Sequence, residues 1–294
     1  MVDVDYNQRN TAKVVFSMVN CKVVLSWAAS GRAFLLSFIL SKVLRKKFVV
    51  MIFGSEVSDS PAVDPEATLR SRTNIVLSRL AISHADIVVC PSNFTAMEMR
   101  EVCNPKKYAV VSHAVDTDKF KMSMALDREF VITVSGGQAT RKGVDRFLKV
   151  ASLLPNRVFV IIGAVCSSEI VRQSNLQNVL LVGRVPGNQL ISYYQRARFY
   201  VQLSRHEGFG VAVAEAMACG CVPVVSDAGA LPEVVGDSGF IIPDGNPLEA
   251  ANLISRYWNL EVVSEKSRKC RDRAVSDFSL RRRSSMLRQV LSAL

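Results

Sequence analysis

Short apolar strands that each run into a glycine or an acidic loop, with helical stretches between them, limit what this chain can fold into more than any other feature. In the second half, Phe130 to Ser135, Val158 to Ile162, Val179 to Val182 and Phe199 to Leu203 read as strands, followed by Gly136, Gly163, Gly183 and Glu207. Helices read from Gly143 to Leu154 and Gly187 to Arg196, then near Pro247 to Trp258 and Ser264 to Ala274, and two more strands cover Val222 to Ser226 and Phe240 to Ile242. The first half has the same rhythm. Strands Lys22 to Trp27, Phe48 to Phe53, Asp86 to Cys90 and Tyr108 to Ser112 alternate with helices from about Arg32 to Arg45, Thr68 to Ser83 and Thr95 to Val102. Alternation of this kind builds βαβ units and a parallel sheet. Ligands of such sheets sit outside the carboxyl ends of strands, where the glycines and Glu207 fall. A polar linker, Thr117 to Asp127, separates the halves. The 294 residues therefore read as two Rossmann-like α/β domains, 1–118 and 119–275, closed by a helix over 276–294.

The segment Ser204 to Asp244, SRHEGFGVAVAEAMACGCVPVVSDAGALPEVVGDSGFIIPD, carries most of the chemistry. Glu207 is followed by Gly208-Phe209-Gly210, and Glu215 stands beyond it with seven residues between the two glutamates. Val211 to Ala218 reads as a helix, and Gly208 and Gly210 let bare amides approach a ligand where it begins. A helix N-terminus suits a diphosphate, because its unpaired N–H groups and its dipole both favour negative charge. Glu215, about two turns in, then reaches a ribose hydroxyl pair, and Glu207 is left to accept hydrogen bonds from a sugar. The competing reading is a surface helix with two solvated glutamates, which has no need of the flanking glycines.

This segment resembles the donor-binding signature of the retaining glycosyltransferases of family 4, whose fold is the two-domain GT-B type. The glutamate pair appears as E-GFGVAVA-E and runs without a gap through EAMACGCVPVVSDAGALPEVV. The resemblance implies two Rossmann-like domains facing a cleft, a nucleotide-diphospho-sugar donor, and transfer of a hexosyl group from UDP or GDP to a lipid-linked or polysaccharide acceptor. It implies no other cofactor. It also implies a mechanism without an enzyme nucleophile, in which the leaving phosphate deprotonates the incoming hydroxyl on the same face. In the family a strand, a glycine-rich loop and a helix precede the segment like Val23 to Trp27. About 80 to 100 residues of the first domain are thus missing by comparison, in a fragment or in a naturally short member.

Carried over by position, Lys142 in the loop Gly136-Gly137-Gln138-Ala139-Thr140-Arg141-Lys142-Gly143 matches the family's phosphate-binding lysine. Its ammonium can offset the charge that builds on the departing diphosphate. The family's second basic residue, about five positions earlier, is here Gly137, and Arg141 is the candidate substitute. Lys142 and Glu207 are the expected catalytic pair. The backbone at Phe209, Gly210 and Val211 is expected to face sugar and phosphates, Glu215 to hold the ribose, and the loop GRVP, with Arg184 and Val185, to meet the base. Arg184 reads equally as a solvent-facing loop cation, and His206 as either a catalytic or a structural imidazole. On the acceptor side, Phe53-Gly54-Ser55-Glu56 resembles a strand end that in many members reads His-Gly-Ser-Glu, so Phe53 stands where an imidazole is usual. Glu56 can orient an acceptor hydroxyl or lie solvated. His113-Ala114 replaces an Asn-Gly pair near the expected hinge.

The net charge of +11 gathers at Arg45-Lys46-Lys47, Arg141-Lys142 and the tail from Lys266 to Arg288. It fits a peripheral contact with an anionic membrane where lipid-linked acceptors reside, or, for the tail, a solvated basic surface. No aromatic-interleaved basic motif points to nucleic acid. The stretch Arg32 to Lys47 reads as a helix packed on a sheet or lying on anionic lipid. The most apolar stretch, Ala33 to Leu40, falls short of the roughly 20 residues of a membrane span. The polar start, MVDVDYNQRN, does not read as a signal peptide, and seven cysteines without CxxC spacing fit buried reduced thiols of a cytosolic protein at the inner face of the membrane. Three scattered histidines and no Asp-x-Asp pair argue against a metal site. The alternatives to an active transferase are a donor-binding or partner-binding subunit, suggested by Phe53 and Gly137, and a relative acting as an epimerase or phosphorylase.

Overall fold

Two parallel sheets organise the computed structural model, which describes residues 19–27, 31–54, 57, 72–123, 128–259 and 261–294. The chain divides into one unit of Met1–Val111 with Met286–Leu294 and a second of Ser112–Ser285. In the first unit, β1 (Val23–Trp27), β2 (Lys47–Met51), β3 (Ile87–Cys90) and β4 (Tyr108–Val110) lie in the order β1-β2-β3-β4, all parallel. Alternate residues feed two faces, as strand geometry requires. Phe48, Val50 and Ile52 pack with Phe34, Ile82 and Met99, while Val49 and Met51 pack with Met286, Leu287, Val290 and Leu291 near the chain end. The helix Gly31–Val43 buries Phe34, Ser37 and Ser41 and leaves Leu36, Ile39 and Val43 exposed.

The second unit holds β5 (Phe130–Val134), β6 (Val158–Ile162), β7 (Val179–Gly183), β8 (Ala197–Gln202), β9 (Val222–Ser226) and β10 (Phe240–Ile242). Their order is β10-β9-β8-β5-β6-β7, again all parallel. The inner strands are buried almost throughout because helices cover both faces, as the connections of a parallel sheet demand. On one face Ile132, Val160, Ile162 and Tyr200 meet Tyr194, Val213, Met217, Cys270 and Phe278. On the other Val131, Phe159, Phe199 and Val224 meet Phe147, Val150, Ala251 and Ile254.

The units divide after Val111, ahead of the boundary expected at residue 118. Val111 is buried among strands of the first sheet, whereas Val115 donates to the Phe278 carbonyl at 2.7 Å and joins the second unit's core. The tail is two helices, Glu261–Phe278 and Leu280–Ser292, that meet at Ser279. Part of its charge is structural. Arg271 donates to the carbonyls of Thr117, Phe120 and Ala218, and Arg273 to those of Glu233 and Val234. Arg283 donates to the Ser112 carbonyl. These three are neither membrane-facing nor merely solvated, because each guanidinium satisfies backbone oxygens left over at helix and loop ends. None of the seven cysteines forms a disulfide with another described residue, and five of them are buried.

Candidate functional site

Strand order fixes where the second unit can bind a ligand. From β5 the chain winds through β6 and β7 to one side and then returns to β8 on the other. The loops leaving the adjacent β5 and β8 therefore turn to opposite faces and open a crevice at the carboxyl edge, the usual ligand position in such sheets. The β5 loop is Gly136 to Gly143 and the β8 loop is Leu203 to Gly210.

The two loops are tied to each other. Gly143 adopts φ +69°, and a Cβ there would fall 2.0 Å from the Leu203 carbonyl oxygen, so only glycine lets the backbones touch. Arg205 N donates to the Arg141 carbonyl at 2.8 Å, and its guanidinium grips Asp145 with two bonds of 2.9 and 2.7 Å. A bidentate pair of this kind adds geometric definition as well as energy. Glu207 is held from behind, its carbonyl accepting from Ala230 N at 2.8 Å.

These ties bring the expected catalytic residues together. Lys142 Nζ donates to Glu207 Oε2 in an ion pair whose side chains are 24% and 11% exposed. Gln202 Nε2 donates to the same oxygen at 2.7 Å. Gly136 and Gly137 border open space, with nothing within 4 Å of the position a Cβ would take. The Arg141 Nε is buried and meets no hydrogen-bond partner among the described residues. The helix Val211–Ala218 starts at Gly210, and Val211 at its mouth is 40% exposed. Its carboxyl end is closed by cations, with Arg271 on the Ala218 carbonyl and Arg128 on the Cys219 carbonyl, which complements the helix dipole.

Glu215 lies on that helix and accepts from Tyr194 OH at 3.2 Å. Burial pushes its carboxyl up to about 7, against the opposing pull of the Tyr194 hydrogen bond. The buried Tyr200 hydroxyl lies in the field of both Glu207 and Glu215, so both carboxylates are near it. Phe209 does not offer its ring to a ligand. It is 4% exposed and packs edge-on against His113 at 5.3 Å and Phe278 at 5.4 Å. His113 is lowered to about 4, by burial first and by Arg283 next, so its imidazole is neutral near pH 7. Arg184 is exposed, and Val185 packs against the core that also holds Val213 and Met217. Phe53 and Gly54 belong to the first unit; Phe53 follows β2 and stacks on Trp27 at 6.1 Å. Glu56 lies outside the described residues. No group of His, Cys, Asp and Glu capable of holding a metal occurs among the described residues.

A family model described as Glycosyl transferases group 1 matches residues 115–276. The chain belongs to this family. The match spans every donor-side residue named above from Gly136 to Glu215 and excludes Phe53, Gly54 and His113. Among curated relatives, a GDP-mannose:cellobiosyl-diphosphopolyprenol alpha-mannosyltransferase from Xanthomonas oryzae is 26% identical over 217 residues, covering 70% of this chain and 54% of its own. A phosphatidylinositol N-acetylglucosaminyltransferase component from Arabidopsis thaliana is 26% identical over 243 residues, covering 69% and 54%. The chain thus spans about half the length of the curated relatives it matches. Among solved structures, HepE of Anabaena in complex with UDP-glucose superposes with a TM-score of 0.80 at 19% identity, over 96% of this chain and 82% of that one. The fold is therefore the two-domain α/β GT-B type of group 1 glycosyltransferases.

Sequence reading missed the supporting residues. Gln202 donates to Glu207, Tyr200 donates to Gln202, Tyr194 donates to Glu215, and Asp145 and Arg205 clip the two loops together. Only Gln202 left a trace: a lone amide closes the apolar strand run Phe199-Tyr200-Val201.

Proposed function

We propose that the protein is a hexosyltransferase that moves a sugar from a UDP- or GDP-linked donor to a lipid-linked or polysaccharide acceptor with retention of anomeric configuration. The observation that carries this reading is the Lys142–Glu207 pair in the crevice between β5 and β8, with Glu215 farther along the helix that opens there. A diphosphate entering the crevice competes for the Lys142 ammonium and meets the bare backbone of Gly136, Gly137 and Gly210 and the Arg141 guanidinium. Glu207 then accepts from sugar hydroxyls and Glu215 from the ribose. As the bond from the anomeric carbon to the diphosphate breaks, Lys142 offsets the charge on the leaving oxygen. The acceptor hydroxyl attacks the same face and passes its proton to the departing phosphate. Support for the donor and acceptor classes comes from relatives named for GDP-mannose and a diphosphopolyprenol, and from a structural neighbour solved with UDP-glucose.

Glu215 gives a test independent of turnover. By isothermal calorimetry, Glu215→Ala should weaken UDP or GDP by roughly 10- to 100-fold, the effect of losing hydrogen bonds to a charged acceptor. Only the ionised carboxylate accepts from both ribose hydroxyls, and the free group titrates near 7. Affinity should therefore rise with pH up to about 7 and level off above it, and Glu215→Gln should flatten that profile. Stability has the opposite sign. The folded pKa lies above the reference 4.5, so the folded state holds the extra proton between the two values. Unfolding free energy should fall as pH rises from about 4.5 to 7, by up to roughly 3 kcal/mol, and stay flat above. Equal nucleotide affinity in wild type and Glu215→Ala would reject the ribose assignment.

We further propose a peripheral contact with anionic membrane through the helix Gly31–Val43. No helix of the described residues is long and apolar enough to cross a bilayer. Leu36, Ile39 and Val43 are 46%, 53% and 71% exposed along one side of a helix that carries Lys42 and no acidic residue. The protein should co-sediment with vesicles containing phosphatidylglycerol, less at high salt, and not with pure phosphatidylcholine. Ile39→Asp with Val43→Asp should abolish that binding, and vesicle binding that survives the double substitution excludes this helix.

A further inference from the structure

Glu207 receives two donors on one oxygen. Lys142 Nζ and Gln202 Nε2 both reach Oε2, and Oε1 has no hydrogen-bond partner among the described residues. The two donors have different futures. In the donor-site reading, on which this inference rests, Lys142 turns to the leaving diphosphate. A carboxylate that loses its cation in a largely dry pocket tends to swing away or take up a proton. Gln202 does not share that fate, because nothing draws it elsewhere.

The amide is built to stay. Gln202 closes β8, is 3% exposed, and is paired in register with Val225 of β9. Tyr200, two residues earlier and on the same face of the strand, is fully buried and donates its hydroxyl to Gln202 Oε1 at 2.8 Å. That bond leaves the amide nitrogen pointing the other way, where it donates to Ser204 Oγ at 3.0 Å and to Glu207 at 2.7 Å. A flipped amide would set its own oxygen against a carboxylate oxygen. Only one orientation satisfies every partner, and only a primary amide both accepts from a phenol and donates twice.

We propose that Gln202, locked in orientation by Tyr200, is the positioning residue that keeps Glu207 aimed at the donor sugar while Lys142 is engaged by the diphosphate. Lys142 and Gln202 hold Glu207 together in the empty site, and the glutamine alone holds it in the filled one. Oε1 is then the oxygen free to meet a sugar hydroxyl. Glu207 also shares its field with Tyr200 and His113, and His206 adjoins it in the chain. Among the described residues only the Gln202 amide and the Lys142 ammonium donate to the carboxylate.

Three variants of the full chain test this: Gln202→Glu, Gln202→Met and Tyr200→Phe. Gln202→Glu keeps the shape but sets one carboxyl against another, so the two titrate together. The measurements are thermal midpoint, calorimetric affinity for UDP or GDP alone, affinity for the matching nucleotide sugar, and the pH profile of kcat. The expected result is near-wild-type affinity for the bare nucleotide in all three variants. The extra affinity conferred by the sugar should shrink, and kcat should fall about tenfold or more for Gln202→Met. In Gln202→Glu the acidic limb of the kcat profile should move up by about one pH unit or more. Tyr200→Phe should show a smaller loss, and Tyr200→Phe added to Gln202→Met should cost little more, because the tyrosine acts through the amide. A merely structural role would lower the midpoint and all affinities together and leave the pH limb in place, and that pattern overturns the proposal. So does a folded Gln202→Met with wild-type kcat and sugar discrimination; if Gln202→Glu fails to fold, Gln202→Met and Tyr200→Phe decide alone. Wild-type protein that binds neither nucleotide nor nucleotide sugar overturns the donor-site reading itself, and this inference with it.

Discussion

Lys142→Ala is expected to leave a folded protein whose kcat is lower by about 100- to 1,000-fold, the usual effect of removing one group that stabilises developing charge. The lysine is the only cation that pairs with Glu207 among the described residues, and its side chain is just 24% exposed. In the empty site its loss strands a carboxylate that retains Gln202 as a donor. Thermal stability should therefore drop modestly, well short of unfolding. With donor bound, nothing replaces the ammonium beside the leaving oxygen, since Arg141 stands one residue earlier in the loop. The deficit should fall mainly on kcat. A loss confined to KM would place Lys142 in ground-state binding alone. Lys142→Arg should recover part of the rate, because charge is kept while the compact ammonium is exchanged for a planar fork. Transfer within a few-fold of wild type by Lys142→Ala, measured as product from a panel of UDP- and GDP-sugars, would remove the lysine from the mechanism and with it the central part of the proposed function.

How much of this was visible beforehand differs between backbone and side chains. The strands were legible because a parallel sheet covered on both faces demands unbroken apolar runs, and Val158–Ile162 and Val222–Ser226 fall on the expected residues. Glu207 was legible because it follows a strand and precedes glycines, and Lys142 because it precedes a glycine at a helix start and matches the family's phosphate-binding lysine. Their union was not, since it depends on β5 and β8 being neighbours, and strand order is decided by the path of the chain after β7. The Glu215–Tyr194 contact joins residues 21 positions apart, and the Arg205–Asp145 clip joins residues 60 apart. No local pattern marks either pair. The tail arginines misled for a related reason. A run of positive charge reads as surface, yet Arg271 reaches carbonyls more than 150 residues earlier in the chain.

The glycine after the lysine carries the second large effect. Gly143→Ala should lower stability by roughly 3 kcal/mol or displace the whole loop. A left-handed φ costs a residue with a Cβ about 1–2 kcal/mol, and here that atom would also overlap the Leu203 carbonyl, with its oxygen at 2.0 Å and its carbon at 2.4 Å. Such contacts cannot be relieved by a side-chain rotation, because the obstacle is backbone at the end of β8. Either the loop keeps its place and the thermal midpoint falls by several degrees, or it lifts away and carries Lys142 from Glu207, so that activity drops while the midpoint changes little. Gly136→Ala supplies the contrast in the same loop. No atom lies within 4 Å of its Cβ position and its φ is not left-handed, so the fold has no objection to the methyl group. That substitution should leave the midpoint unchanged and weaken nucleotide binding, because the added carbon projects into the open space assigned to the phosphates. The two glycines thus separate the role of the loop in folding from its role in binding. A Gly143→Ala protein with wild-type midpoint and wild-type turnover would mean that the β5 and β8 loops do not touch in solution, and the geometry that joins Lys142 to Glu207 would fall with that contact.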